Sequence, residues 1–273
     1  MITIKPQGGL CNRLRTLGAA LALSRKINVP LRLIWERNSK LNCTFRRLFQ
    51  VSDSFSLSEV TCNDNVPPIV KRIRNLREIL VCKFRYGRAI FPPELEKLYH
   101  DGYDFEMLAK NRSVFITTWR RFYPFGSELS ELKPVADLQN IINSYTTNFS
   151  GHTIGVHIRR TDNIQSIKHS PTSEFIKLMT EEIEKDEKVE FYLATDSPGE
   201  ESEILRLFPN RITTHEKTLD RQSEKAIMDA LVDLICLAKT KQIIGSYWSS
   251  FSLTASRFYE AKLRIVDVIK QDG

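Results

Sequence analysis

From residue 151 onward, apolar runs and amphipathic stretches alternate without a break. "TIGVHIR" precedes "TSEFIKLMTEEIEKDE", and "VEFYLATD" precedes "GEESEILRLF". "RITTH" precedes "RQSEKAIMDALVDLICLAKT", "KQIIGSY" precedes "SSFSLTASRFYEAK", and "LRIVDVI" follows. Short apolar runs bounded by turn residues read as buried strands, and the longer amphipathic stretches between them read as helices. Repeated βα units of this kind predict an α/β fold with a parallel sheet and helices on both of its faces. Such a sheet also fixes where a ligand binds, in the crevice beyond the carboxyl ends of its strands.

The other end of the chain opens the same way. "MITIKP" reads as a strand, "QGG" as its turn, 12–26 as a helix and "VPLRLIWE" (29–36) as the next strand. "SVFITTW" reads as a buried strand and 135–149 as an amphipathic helix. The middle, 39–110, is poorly patterned, with proline punctuation and short helices expected. Two Rossmann-like domains are therefore expected, 1–150 and 151–273.

Composition narrows the functional class. The formal net charge is +7, which suits a phosphate-bearing ligand, nucleic acid or an anionic membrane. No recognition helix or other nucleic-acid module is discernible, so no nucleic-acid partner is expected. The five cysteines form no CxxC pair; neither a zinc site nor a disulfide framework is expected, and no metal. Polar residues interrupt the N-terminus too early for a signal peptide, and no apolar run approaches ~18 residues. A cytoplasmic location is expected. The dense basic run "VKRIRNLREILVCKFRYGR" (70–88) reads as a solvated helix face, with peripheral membrane contact, or contact with an acidic acceptor, as the alternative.

The strand ends bring one chemistry together. Strand 1 is followed by Gly8, Gly9, Asn12 and Arg13. "TIGVHI" is followed by Arg159, Arg160, Thr161, Asp162 and Asn163, "FYLA" by Thr195 and Asp196, and "QIIG" by Ser246, Ser249, Ser250, Phe251 and Ser252. Glycines let a backbone approach a ligand, helix openings offer amides and a positive dipole end, and arginine adds a planar fork that grips phosphate oxygens. Each element also has a structural reading. The Gly-Gly turn can be only a turn, Asp196 a helix cap, the serines a helix start, and His157 a core histidine. Neither the dinucleotide fingerprint nor the P-loop is present.

"GVHIRRTDN" resembles the first motif of the α-1,6-fucosyltransferases and their nodulation relatives, H-x-R-R-T-D-K. "FYLATD" resembles their second motif, and "GSYWSSFSLTASRFYEA" their Ser-rich third. "GGLCNRL" is similar to an N-terminal element of the α-1,2 and protein O-fucosyltransferases. The resemblance covers the first turn and most of 151–261; residues 36–112 match no element of it. It implies a GT-B-like fold, with two Rossmann-like domains whose parallel sheets face a donor cleft. The N-terminal domain would lie on the acceptor side and the C-terminal domain would bind the nucleotide sugar. It further implies inverting, metal-independent transfer from GDP-fucose, as donor substrate, to a glycan acceptor, with no cofactor. The chain has no D-x-D triplet.

By that resemblance Arg159 and Arg160 are the catalytic pair, the first on the β-phosphate of GDP. His157 would sit near the nucleotide, Asp162 would stabilise the loop, and Asp196 would contact guanine or its support. Ser249, Ser250, Phe251 and Ser252 belong to the phosphate-contacting motif, and Gly9, Asn12 and Arg13 would approach the pyrophosphate or the fucose. Asn163 stands where the α-1,6 family has lysine, and no catalytic base is assigned, with Glu174 a candidate on a helix surface. A same-fold glycosyltransferase using another nucleotide sugar and a non-catalytic nucleotide- or sugar-binding homologue remain as alternatives.

Overall fold

The computed structural model describes residues 1–161, 163–220 and 223–269. Asp162 therefore lies outside the described residues. The chain forms two compact α/β units. The first comprises Met1–Lys133 with a short piece at 223–227; the second takes up the remainder from Pro134.

The first unit contains β1 (Ile2–Pro6), α1 (Leu10–Lys26), β2 (Leu31–Arg37), β3 (Ser56–Thr61), α2 (Pro68–Arg85), β4 (Arg88–Ile90), α3 (Pro92–His100) and β5 (Val114–Thr118). Its five-stranded sheet has the order β3-β2-β1-β5-β4, and every pairing is parallel. Ile2 lies opposite Leu31 on one side and Val114 on the other. Successive strands step outward from β1 to β3, and the chain then crosses to β4 and returns at β5. The winding direction thus reverses between β1 and β5, the place where loops diverge and a doubly wound sheet opens a crevice.

The second unit contains α4 (Ala136–Thr146), β6 (Thr153–Ile158), α5 (Ile164–His169), α6 (Thr172–Lys185), β7 (Glu190–Thr195), α7 (Pro198–Leu207), β8 (Ile212–Thr214), α8 (Glu224–Ala238), β9 (Gln242–Ser246), α9 (Ser250–Phe258) and β10 (Lys262–Val266). Its sheet is also parallel, in the order β10-β9-β6-β7-β8, with the reversal between β6 and β9. Ile154, Val156 and Ile158 of β6 pack with Phe191 and Leu193 of β7, Ile244 of β9, and Phe175, Leu178 and Met179 of α6. Each such side chain contributes about 1.5–3 kcal/mol when taken from water. β6 is buried along its whole length because helices cover both faces, which is why it reads as a continuous apolar run.

The C-terminal strands and helices form where the periodicity places them. Two differences are informative. The units divide at Lys133–Pro134 rather than at 150, because α4 belongs to the second unit. Tyr145 at its end meets the rings of Tyr192 and His215, and Phe149 meets Tyr192. The poorly patterned middle supplies β3, α2 and β4, completing the first sheet. β3, "SLSEVT", is a half-exposed edge strand with no apolar run to reveal it, and β4 has three residues. No helix among the described residues is long and apolar enough to cross a membrane, and no disulfide links the five cysteines.

Candidate functional site

The carboxyl ends of β6, β7 and β9 converge on Arg159. Its backbone N–H donates to Ser246 Oγ at 2.9 Å, and that hydroxyl donates to the His157 carbonyl at 3.2 Å. The exits of the two strands flanking the winding reversal are thereby tied to each other. Asp196, just past β7, organises the loop. Its Oδ1 accepts from the Arg160 N–H at 2.8 Å, and its Oδ2 accepts from Thr161 Oγ at 2.7 Å. The same Oδ2 lies 3.0 Å from Arg159 Nη1.

The adjacent arginines do different work. Arg160 donates through Nε to Glu200 (2.8 Å), through Nη1 to the Arg159 carbonyl (2.9 Å) and through Nη2 to Thr172 Oγ (2.8 Å). Its guanidinium also lies over the Phe175 ring, 5.9 Å from the centroid. This fork pins the starts of α6 and α7, and its side chain is 11% exposed. The Arg159 side chain is held by Asp196 and is 26% exposed, the more accessible of the two.

His157 is buried and stacks on Phe251 with centroids 4.9 Å apart and planes at 21°. Its Nδ1 is buried without a hydrogen-bond partner. Burial strips the imidazolium of water, and Arg159, Lys217 and Arg160 repel it more than Asp196 attracts it; its pKa falls to about 3. The ring is neutral at physiological pH. In the unfolded chain a histidine takes up a proton near pH 6.5. Stability from this group is therefore present above that pH and is lost as pH falls towards 3, by at most about 1.4 kcal/mol per pH unit. His157→Phe keeps the stack and removes the titration. Thermal melts from neutral pH down to about pH 4 should fall more steeply for the native protein than for this variant; parallel curves would contradict the neutral ring.

The serine motif caps α9. Ser249 Oγ accepts from the Phe251 N–H at 3.3 Å. Ser250 is part-exposed at the first turn, and Ser252 is fully buried. A Cβ on Gly245 would lie 2.6 Å from Ser252 Cβ, so only glycine lets α9 sit this close to β9. Ser252 is thus a packing residue. Asn163 caps α5 by accepting from the Ser166 N–H (3.0 Å), and its amide donates to the Trp248 carbonyl (3.1 Å). It therefore joins the loops after β6 and β9. Glu174, in the first turn of α6, has Lys177 at 3.5 Å.

A buried polar network, unmarked by any motif, lies under the end of β8. Tyr192 Oη donates to Asp233 at 2.7 Å, and Lys217 Nζ lies 3.0 Å from the other oxygen of Asp233 and 3.6 Å from Glu201. His215 Nε2 lies 3.3 Å from Asp229, whose second oxygen accepts from the Thr218 N–H at 2.9 Å. Burial holds the Asp233 carboxyl above its ordinary range. The signal existed: Asp229 and Asp233 are four apart on an otherwise apolar helix, so their buried face had to find polar partners.

In the first unit, Gly8 has φ +82°, and a Cβ there would meet Asn12 Nδ2 at 3.0 Å. Glycine is required on both counts. Gly9 is the N-cap of α1 without a side-chain cap, which leaves that helix's first amides to other acceptors. Asn12 is half-buried, its Oδ1 accepting from Arg15 at 2.7 Å. Arg13 is turned inward. It is fully buried, donating to the Gly8 carbonyl (2.8 Å), the Glu36 carbonyl and Asn38 Oδ1 (3.0 Å), with its guanidinium 5.1 Å from the Trp35 ring centre. Burial lowers its pKa to about 10. Arg13 braces the turn from inside the fold. Arg15 is half-buried beside it; burial lowers its pKa, and Arg121 and Arg120 lower it further. These three arginines gather at the reversal of the first sheet, unmarked by any motif.

Neither a family model nor a curated protein matches this sequence. Solved structures do. NodZ α-1,6-fucosyltransferase soaked with GDP-fucose superposes with a TM-score of 0.60 at 19% identity, covering 94% of this chain and 92% of that chain. The apo form of POFUT1 gives a TM-score of 0.59 at 12% identity, with 97% of each chain covered. Fucosyltransferase NodZ from Bradyrhizobium gives 0.59 at 18% identity, covering 93% and 91%. This chain has the fold of these fucosyltransferases. The fucosyltransferase fold is the one the "GVHIRRTDN" resemblance implied. The similarity spans both sheets, including the middle segment in which no motif was legible.

Proposed function

We propose that this chain is an inverting glycosyltransferase that transfers fucose from GDP-fucose to a glycan acceptor. The carrying observation is Arg159, a part-exposed guanidinium at the winding reversal of the second sheet, steered by Asp196 at 3.0 Å. Solved neighbours that hold GDP-fucose support this choice of donor.

In the proposed reaction the acceptor oxygen attacks the fucose anomeric carbon from the side opposite the phosphate. The carbon–oxygen bond to the β-phosphate breaks, GDP leaves with the electron pair, and the acceptor proton passes to a base. Negative charge grows on the β-phosphate as that bond breaks. A guanidinium held there binds the transition state more tightly than the bound donor, and this difference accelerates the reaction. Asp196 orients Arg159, and Arg160 positions the loop. The neutral His157–Phe251 stack forms an uncharged wall beside the phosphate site, and Ser249 and Ser250 line the start of α9. Gly9 and Asn12 are the proposed ligand contacts of the first unit.

A thermal-shift panel with GDP, UDP and ADP tests the reading. GDP at about 100 times its Kd stabilises by about 2.7 kcal/mol, which should raise Tm by roughly 5–10 °C. A shift with UDP alone would replace fucose by another nucleotide-linked sugar. A GDP shift with no donor turnover, with or without acceptor glycans, would make the chain a binding protein.

A further inference from the structure

α2 is an amphipathic helix turned inside out. One face holds it to the first unit. Arg74 donates to the Asn63 carbonyl (2.8 Å) and to Asp64 (3.0 Å), Glu78 accepts from Lys5 (2.7 Å), and Cys82 is buried. Its most apolar line points the other way. Ile69, Ile73, Leu76, Leu80 and Phe84 follow one another at spacings of four, three, four and four, which forms one stripe along a helix of 3.6 residues per turn. They are 62, 60, 52, 68 and 96% exposed. Val70 and Val81 widen the stripe on one side.

Cations border it. At 100° per residue, Arg72 and Lys83 fall along one edge and Arg77 along the other. The helix carries six basic residues, Lys71, Arg72, Arg74, Arg77, Lys83 and Arg85. Its one acid, Glu78, is turned away from the stripe to Lys5. A contiguous exposed apolar stripe marks a docking surface, and the charges select the occupant. Two copies meeting through this stripe would set Arg72, Arg77 and Lys83 against the same cations, where paired helices need opposite charges. An anionic bilayer offers the complement, apolar a few ångströms in and negative at its rim, and long basic side chains reach phosphates from a helix lying at that boundary.

We propose that α2 docks this protein on an anionic lipid bilayer. The helix lies in the interfacial plane, with Ile69, Ile73, Leu76, Leu80 and Phe84 in the acyl boundary and Arg72, Arg77 and Lys83 on lipid phosphates. Docking needs neither donor nor acceptor, so its failure would leave the nucleotide site unaffected.

The test is cosedimentation with vesicles of equal parts phosphatidylcholine and phosphatidylglycerol, against phosphatidylcholine alone. The protein should sediment with the anionic vesicles. Leu80→Asp with Phe84→Asp should weaken that binding about a hundredfold, as should Arg72→Gln, Arg77→Gln and Lys83→Gln together. These side chains are exposed, so melting temperature and the GDP shift should not change. No sedimentation with either vesicle overturns the proposal, as does binding that both sets of substitutions leave intact. A dimer dissolved by Leu80→Asp, without vesicle binding, also overturns it and assigns the stripe to a second copy.

Discussion

Arg159→Ala should abolish the expected GDP thermal shift and lower kcat for the proposed transfer by about 10²–10³, corresponding to ~2.7–4 kcal/mol of transition-state stabilisation. The unliganded protein should barely change. The guanidinium is part-exposed and makes an ion pair with Asp196, a contact of the kind worth at most about 1 kcal/mol. Asp196 keeps the Arg160 N–H and the Thr161 hydroxyl after the substitution, so the loop keeps its anchor. Arg159→Lys should fall between, because an ammonium retains the charge but not the planar fork. Arg160→Ala should behave differently. It releases Glu200 and Thr172, so Tm should fall together with binding. Equal GDP shifts in the native protein and Arg159→Ala would remove this guanidinium from the proposed site.

Arg13→Ala carries the largest expected loss of stability, about 3–5 kcal/mol, from the emptied volume and from acceptors stripped of their donor. For a chain of this size that is a fall in Tm of roughly 10 °C or more. Gly8, Glu36 and Asn38 would each lose a charged hydrogen bond from a guanidinium that is itself fully buried. Arg13→Lys should recover little, because one ammonium cannot span three acceptors on two segments. Calorimetric melts decide it. An Arg13→Ala protein as stable as the native one, yet unable to bind GDP, would return Arg13 to the ligand and contradict its inward placement.

These two arginines mark the limit of reading residues along a line. Both stand at the carboxyl side of a β-strand and both belong to quoted motifs, yet one is held at the surface and the other is sealed inside. Their opposite placements depend largely on distant partners. Arg13 is turned inward by Glu36 and Asn38, 23 and 25 positions away. Arg159 is set by Ser246, 87 positions away, and Arg160 by Asp196, 36 positions away. His157 is similar: the motif marks it, and the stack on Phe251 with the repulsion from Arg159 and Lys217 makes it neutral.

The alternation of strand and helix, the parallel sheets and the chemistry gathered at the strand ends were all legible in the residues, because periodicity and turn propensity act over ten to twenty positions. The strand orders were not, nor the half-exposed β3, the paired carboxylates under β8, or the outward turn of the α2 stripe. Each of these depends on which distant surface a segment packs against. A helix displays its apolar face in its own spacing, but burial of that face is decided by the rest of the chain. In α2 the ion pair of Glu78 with Lys5 and the contact of Arg74 with Asp64 claimed the other side.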